Sequence, residues 1–87
     1  TKFSLEQNYP NPFNPSTSIR YALSNKQFVS LKVFDVLGKE VAVLVNKDLK
    51  IGSYTVDFNA STLTSGVYFY KITAGDYTDT KKLVLVK

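Results

Sequence analysis

Apolar and polar residues alternate along most of this chain with a period of two. Ile19, Tyr21 and Leu23 alternate with Ser18, Arg20 and Ala22, and Val29, Leu31 and Val33 with Ser30, Lys32 and Phe34. Further on, Tyr54, Val56 and Phe58 alternate with Ser53, Thr55 and Asp57, and Tyr68, Tyr70 and Ile72 with Val67, Phe69 and Lys71. Side chains two apart share one face of a strand, so this is the pattern of half-buried strands. Turn formers separate the runs at Ser24-Asn25-Lys26, Leu37-Gly38-Lys39, Ile51-Gly52, Ser65-Gly66 and Gly75-Asp76. Turn signals about every 8–15 residues between short strands predict an all-β sandwich or barrel. The pattern predicts strands over 3–7, 17–23, 28–35, 39–45, 53–58, 67–74 and 77–86. It places Ile19, Tyr21, Leu31, Val33, Val56, Phe58, Tyr68, Tyr70 and Ile72 in the core.

Three stretches read less simply. Val36 to Asn46 has apolar residues at several spacings, which leaves a helix open, but Val41, Val43 and Val45 at period two favour a strand. The last strand is apolar on both faces from Leu83 to Val86, as expected of a central or covered strand, or of a bulge that switches faces. Phe34, Phe69 and Tyr77 fall on the outward side of the alternation, where exposed aromatics would stack on sugars or a partner protein, but cover by a second sheet or a loop is the expected reading. Between strands, Pro10, Pro12 and Pro15 each fix φ and hold Tyr9, Asn11 and Asn14 extended, so Pro10–Ser16 is predicted to be a stiff non-helical crossover. Hydroxyl and amide side chains in Asn59–Ser65 suit local turns.

Composition narrows the chemistry. A chain of 87 residues reads as one domain spanning 1–87 with a modest core, and 44% hydrophobic against 21% charged residues is a globular balance. With no cysteine there is neither a disulfide nor a thiolate site. That suits a reducing cytosol and an exported protein alike. No apolar run spans a bilayer as a helix, and the start carries no signal-peptide pattern, so an export signal for a longer parent is expected elsewhere. The net charge is +4, yet the lysines are scattered along strands and no nucleic-acid signature accompanies them. They read as solvated, edge-protecting residues.

Without histidine a Ser-His-Asp triad is excluded. A serine–lysine pair or a lysine–asparagine crosslink is unmarked. Asp35, Asp48 and Asp57 do not follow a calcium-loop spacing and read as turn formers. The chain is therefore expected to be no enzyme and to need no metal, cofactor, nucleic acid or small-molecule substrate.

Four segments carry a resemblance. Gln7-Asn8-Tyr9-Pro10-Asn11-Pro12-Phe13-Asn14-Pro15 follows Phe3-Ser4-Leu5. Val33-Phe34-Asp35-Val36-Leu37-Gly38-Lys39-Glu40-Val41 joins an apolar strand to a glycine turn. Leu63-Thr64-Ser65-Gly66-Val67-Tyr68-Phe69-Tyr70-Lys71 opens another strand, and Lys81-Lys82-Leu83-Val84-Leu85-Val86-Lys87 ends the sequence. In this order and spacing they resemble the C-terminal sorting domains of type IX secretion cargo. They also resemble the related immunoglobulin-like domains of flagellar hook-capping proteins.

The resemblance implies an immunoglobulin-like antiparallel sandwich of about seven strands. It implies a secretion signal that directs an N-terminal cargo across the outer membrane, through the periplasm to the cell surface or beyond. The implied partners are that cargo, an outer-membrane shuttle protein and a sortase-like peptidase that removes the domain. The information is implied to lie toward the end, which makes Lys81, Lys82, Leu83, Val84, Leu85, Val86 and Lys87 the candidate partner-binding residues. Pro10, Asn11, Pro12, Phe13, Gly38, Gly66 and Tyr68 are the candidate structural ones, the glycines suiting positive φ or close approach. If the last strand lies at a sheet edge, a receptor strand could pair with it. The alternative is a structural or adhesive accessory module of an extracellular bacterial protein.

Overall fold

Seven strands follow one another in a computed structural model that describes residues 2–87. They are β1 (Ser4–Leu5), β2 (Ser16–Leu23), β3 (Gln27–Phe34), β4 (Glu40–Leu49), β5 (Gly52–Asn59), β6 (Gly66–Ala74) and β7 (Tyr77–Leu85). A three-stranded antiparallel sheet ordered β1-β2-β5 packs on a four-stranded one ordered β4-β3-β6-β7. Among the described residues there is no helix. This is the immunoglobulin-like sandwich expected from the sequence.

The core follows the alternation. Ile19, Tyr21 and Leu23 of β2 meet Val29, Leu31 and Val33 of β3 and Tyr68, Tyr70 and Ile72 of β6 in one buried cluster. Each large aliphatic side chain taken out of water contributes about 1.5–3 kcal/mol toward the entropy cost of ordering the chain. Leu5, Phe13, Val45, Ala60, Leu83 and Leu85 join the cluster. Val56, expected inside, is only partly buried, because β5 is the last strand of its sheet and its inward face looks over an open rim.

β4 departs most from expectation. Its register against β3 breaks between Leu31 and Lys32 and again between Val33 and Phe34, so Leu44 and Val41 are bulged out of the ladder. The three valines therefore do not share a face. Val45 is buried and Val43 is exposed. The helix left open there does not form; Val36 and Leu37 make a turn, and the strand runs on past Val45 to Leu49. At the start of the chain β1 is shorter than the predicted 3–7. Beyond it, pairing with β2 persists only as single contacts, Glu6 N–H to Arg20 C=O and a mutual pair between Tyr9 and Ser18.

The outward aromatics divide. Phe34 and Phe69 face each other across β3 and β6 on the outer side of the large sheet, both partly buried. Tyr77 does not face outward. It pairs with buried Ala74, turns toward the core and stacks on Phe3 with ring centres 5.2 Å apart.

Candidate functional site

The proline segment runs along the free margin of β7. Phe13 forms a parallel bridge with Leu85, donating its N–H to Val84 C=O and accepting the Val86 N–H, each at 3.0 Å. Asn11 Oδ1 accepts the Val84 N–H at 2.9 Å, and Gln7 Nε2 donates to Lys82 C=O at 2.7 Å. The peptide bonds before Pro10, Pro12 and Pro15 are cis. The Phe13 ring is buried against Phe58, 6.2 Å between centres. The two-faced apolar run is thus explained by cover: Leu83 and Leu85 enter the core, while the segment closes the margin beside Val84 and Val86. β7 ends its sheet, yet from Lys82 to Val86 its backbone is already paired within the chain.

A buried polar cluster anchors this segment. Asn8 and Thr17 are the buried polar residues among those described. Asn8 donates its backbone N–H to the Tyr70 hydroxyl at 2.8 Å and its amide to Thr17 Oγ1 at 2.9 Å; Thr17 donates to Pro10 C=O at 2.8 Å. Tyr70 in turn donates to Glu6 C=O at 2.7 Å. Burial pushes the Tyr70 phenol up to about 12, the Asn8 N–H partly offsets this, and the Asp79 charge adds to it. Tyr77 is also raised, by burial first and then by Asp79. Sequence reasoning missed Asn8 and Thr17 as a pair. The only local signal was an amide placed just before the prolines.

The basic cluster of the last strand is split by the pleat. Lys81 lies opposite buried Tyr70 and so stands on the core-facing side at the rim. Lys82 lies opposite Phe69 and points to the outer face, with Val84 opposite Val67 beside it. Lys87 leaves the strand, taking Ser65 Oγ with its N–H at 3.0 Å and reaching Ser61 C=O with Nζ at 2.7 Å.

The two middle segments meet at one end of the sandwich. Asp35 Oδ1 accepts the N–H groups of Leu37 and Lys39, both at 2.9 Å, and Gly38 completes that turn with φ 84. Gly66 has φ 155 at the start of β6. Tyr68 donates its hydroxyl to Thr64 C=O at 2.7 Å, the tyrosine-corner arrangement of immunoglobulin-like sandwiches. A shallow cleft of about 430 Å³ lies between the two segments, lined by Val36, Leu37, Val41, Leu63 and Tyr68.

Among the described residues no three acidic groups stand close enough to hold a metal ion. Asp35 is engaged in its turn, Asp57 accepts the Ser18 hydroxyl at 2.7 Å, and Asp48 sits on β4 opposite Phe28. A family model described as the secretion system C-terminal sorting domain matches residues 7–87. No curated protein gives a significant match.

Proposed function

The chain belongs to the C-terminal sorting domains of type IX secretion, and from that premise we propose that its folded form, rather than a linear tail, is the address that the machinery reads. A sorting domain is a signal domain and not a catalytic one. It implies a cargo exported across the outer membrane.

The observation that supports recognition of the folded domain is the strap of Asn11 and Phe13 on β7. The last residues are held against the first motif, so a receptor that meets the folded chain meets both together. Pairing of a receptor strand with the end of β7 would require displacing that strap. Side chains on the outer face of the large sheet need no such step. Lys82 and Val84, with Phe69, Val67 and Phe34 beside them, offer an apolar patch and a cation. The lysine supplies orientation and encounter rate more than affinity. On this reading the partners are an outer-membrane shuttle protein and a sortase-like peptidase, with cargo on the N-terminal side. The route passes through the periplasm to the cell surface or the medium.

The test is export of a reporter fused to the chain in a type IX host. Phe13→Asp puts a charge into the core and disrupts the fold while leaving residues 77–87 intact, so it should abolish export. Normal export of that variant, with circular dichroism showing it unfolded, would mean that the tail is read as a linear signal. Failure of the wild-type fusion to leave the cell would favour the accessory-module reading.

A further inference from the structure

The free margins of the two sheets are guarded unequally. β7 is strapped over its last residues and turns Asp79 and Lys81 inward on the rest. β4 carries two bulges and turns Lys47 inward, opposite buried Val29. β1 has two residues. Bulges, inward charges, cover and shortness each keep a sheet from adding strands. β5 has none of them. It pairs with β2 from Gly52 to Asn59 without a register break, contains no proline or lysine, and has Asp57 as its single charge.

Its ladder is open. On β2, Ser18 donates its N–H to Tyr9 C=O and accepts the Tyr9 N–H, and Arg20 C=O accepts the Glu6 N–H, all on the side away from β5. The residues opposite them, Asp57 and Thr55, therefore direct their own N–H and C=O away from β2, as alternation along an antiparallel pair requires. Beside this margin the sandwich gapes. The three-stranded sheet is one strand short of its partner, and a cleft of about 240 Å³ separates β5 from β4. Leu44, Leu49, Tyr54 and Val56 line it, only partly buried, together with Lys47.

We propose that this margin is a strand-docking site, where an extended segment of a partner protein adds to β5 as a fourth strand and fills the cleft over β4. It is separate from the outer face of β7 and does not depend on it. The occupant is specified by what it must meet. Apolar side chains at alternate positions would cover Leu44, Leu49 and Val56. A carboxylate at the end where β5 begins would meet Lys47, which has no carboxylate within ion-pair distance among the described residues. A second copy of the chain suits the gap less well. Two-fold pairing through β5 would bring a second β4 alongside the first, where there is room for one strand.

The probe is the peptide acetyl-Val-Thr-Ile-Thr-Val-Thr-Glu-amide, whose Glu shares a face with the apolar residues, added to the whole chain and followed by backbone NMR. Saturable shifts and slowed amide exchange at Thr55 and Asp57 are expected. Thr55→Pro removes an N–H that the β2 ladder does not use, so the melting temperature should stay near wild type while binding weakens by about tenfold or more. Val56→Lys, which puts a charge in the cleft, should weaken binding too and serves if the proline variant does not fold. A peptide ending in Lys instead of Glu should bind less well. Absence of shifts at millimolar peptide, or equal binding by both variants, overturns the proposal. Self-association of the chain without peptide, lost in Thr55→Pro, also overturns it, by seating a second copy there.

Discussion

Asn11 and Val84 stand 73 positions apart in the chain and share a hydrogen bond of 2.9 Å, side-chain oxygen to backbone N–H. It replaces the ladder bond that a neighbouring strand would have made. A neutral bond of this kind contributes about 1 kcal/mol, somewhat more when its loss leaves a partner unsatisfied. Asn11→Ala should lower stability by about that amount and speed exchange of the Val84 amide. Asn11→Asp keeps an acceptor and should restore much of the protection. Unchanged exchange at Val84 in the alanine variant would show that the strap does not hold the strand.

The pleat of the last strand makes neighbours unequal. Leu85 is buried, while Val86 is half-exposed beyond the strand's end. Leu85→Ala should cost about 2–5 kcal/mol in urea denaturation, and Val86→Ala less than about 0.5 kcal/mol. Similar losses at both positions would contradict the register of β7 on β6.

Lys81 and Lys82 provide the sharper test of what a receptor reads. Lys82 is exposed on the outer face, whereas Lys81 sits on the inner side of the rim. Lys82→Gln should reduce export of a fused reporter with little change in melting temperature, because exposed charges contribute little to stability. Lys81→Gln should leave export near wild type. The reverse order of effects would point to the rim, not the outer face, as the recognised surface.

Tyr70 gives the fold an alkaline limit. Its phenol is raised to about 12, so it stays protonated after the same group in the unfolded chain has begun to ionise near pH 10. The unfolded state then binds fewer protons than the folded one, and stability falls as pH rises. This contribution is complete below about pH 10 and is lost on the way to about pH 12, on the order of 2–3 kcal/mol in all. Tyr70→Phe should be less stable at neutral pH, having lost two hydrogen bonds, but should show a flatter decline in this range. Equal slopes for both proteins between pH 10 and 12 would exclude Tyr70 as the cause.

Gly38 tests the turn before β4. Its φ of 84 is strained for an L side chain, yet a Cβ there would touch nothing within 4 Å. Gly38→Ala should therefore cost about 1–2 kcal/mol through backbone strain alone, and Gly38→Asn less. A neutral alanine variant would mean that the turn relaxes freely.

Much of this fold was readable because alternation is local. Leu31 and Ile72 each announce an inward face within a few residues of themselves. The bulges of β4 were not readable, since a row of valines looks regular whether or not Leu44 is extruded, and only the pairing with β3 decides it. The parity of Lys81 and Lys82 was present in the count from Tyr70 and Leu83 but was blurred by the apolar residues on both faces. The strap was out of reach. Three prolines specify a stiff segment, but nothing near them says that Asn11 and Phe13 will find a strand so far along the chain. The unguarded margin of β5 likewise appears only once the sheet order is known.

The strap also sets an order of events. Phe13 is made early, and its seat beside Leu85 does not exist until nearly the whole of the described chain has been synthesised. Contacts so distant in sequence form slowly, because a long loop must close before they return anything. Until then Phe13 has no strand to bridge. A chain interrupted before Leu83 would leave that seat missing for good. Closure of that one edge therefore marks that synthesis has passed Leu85.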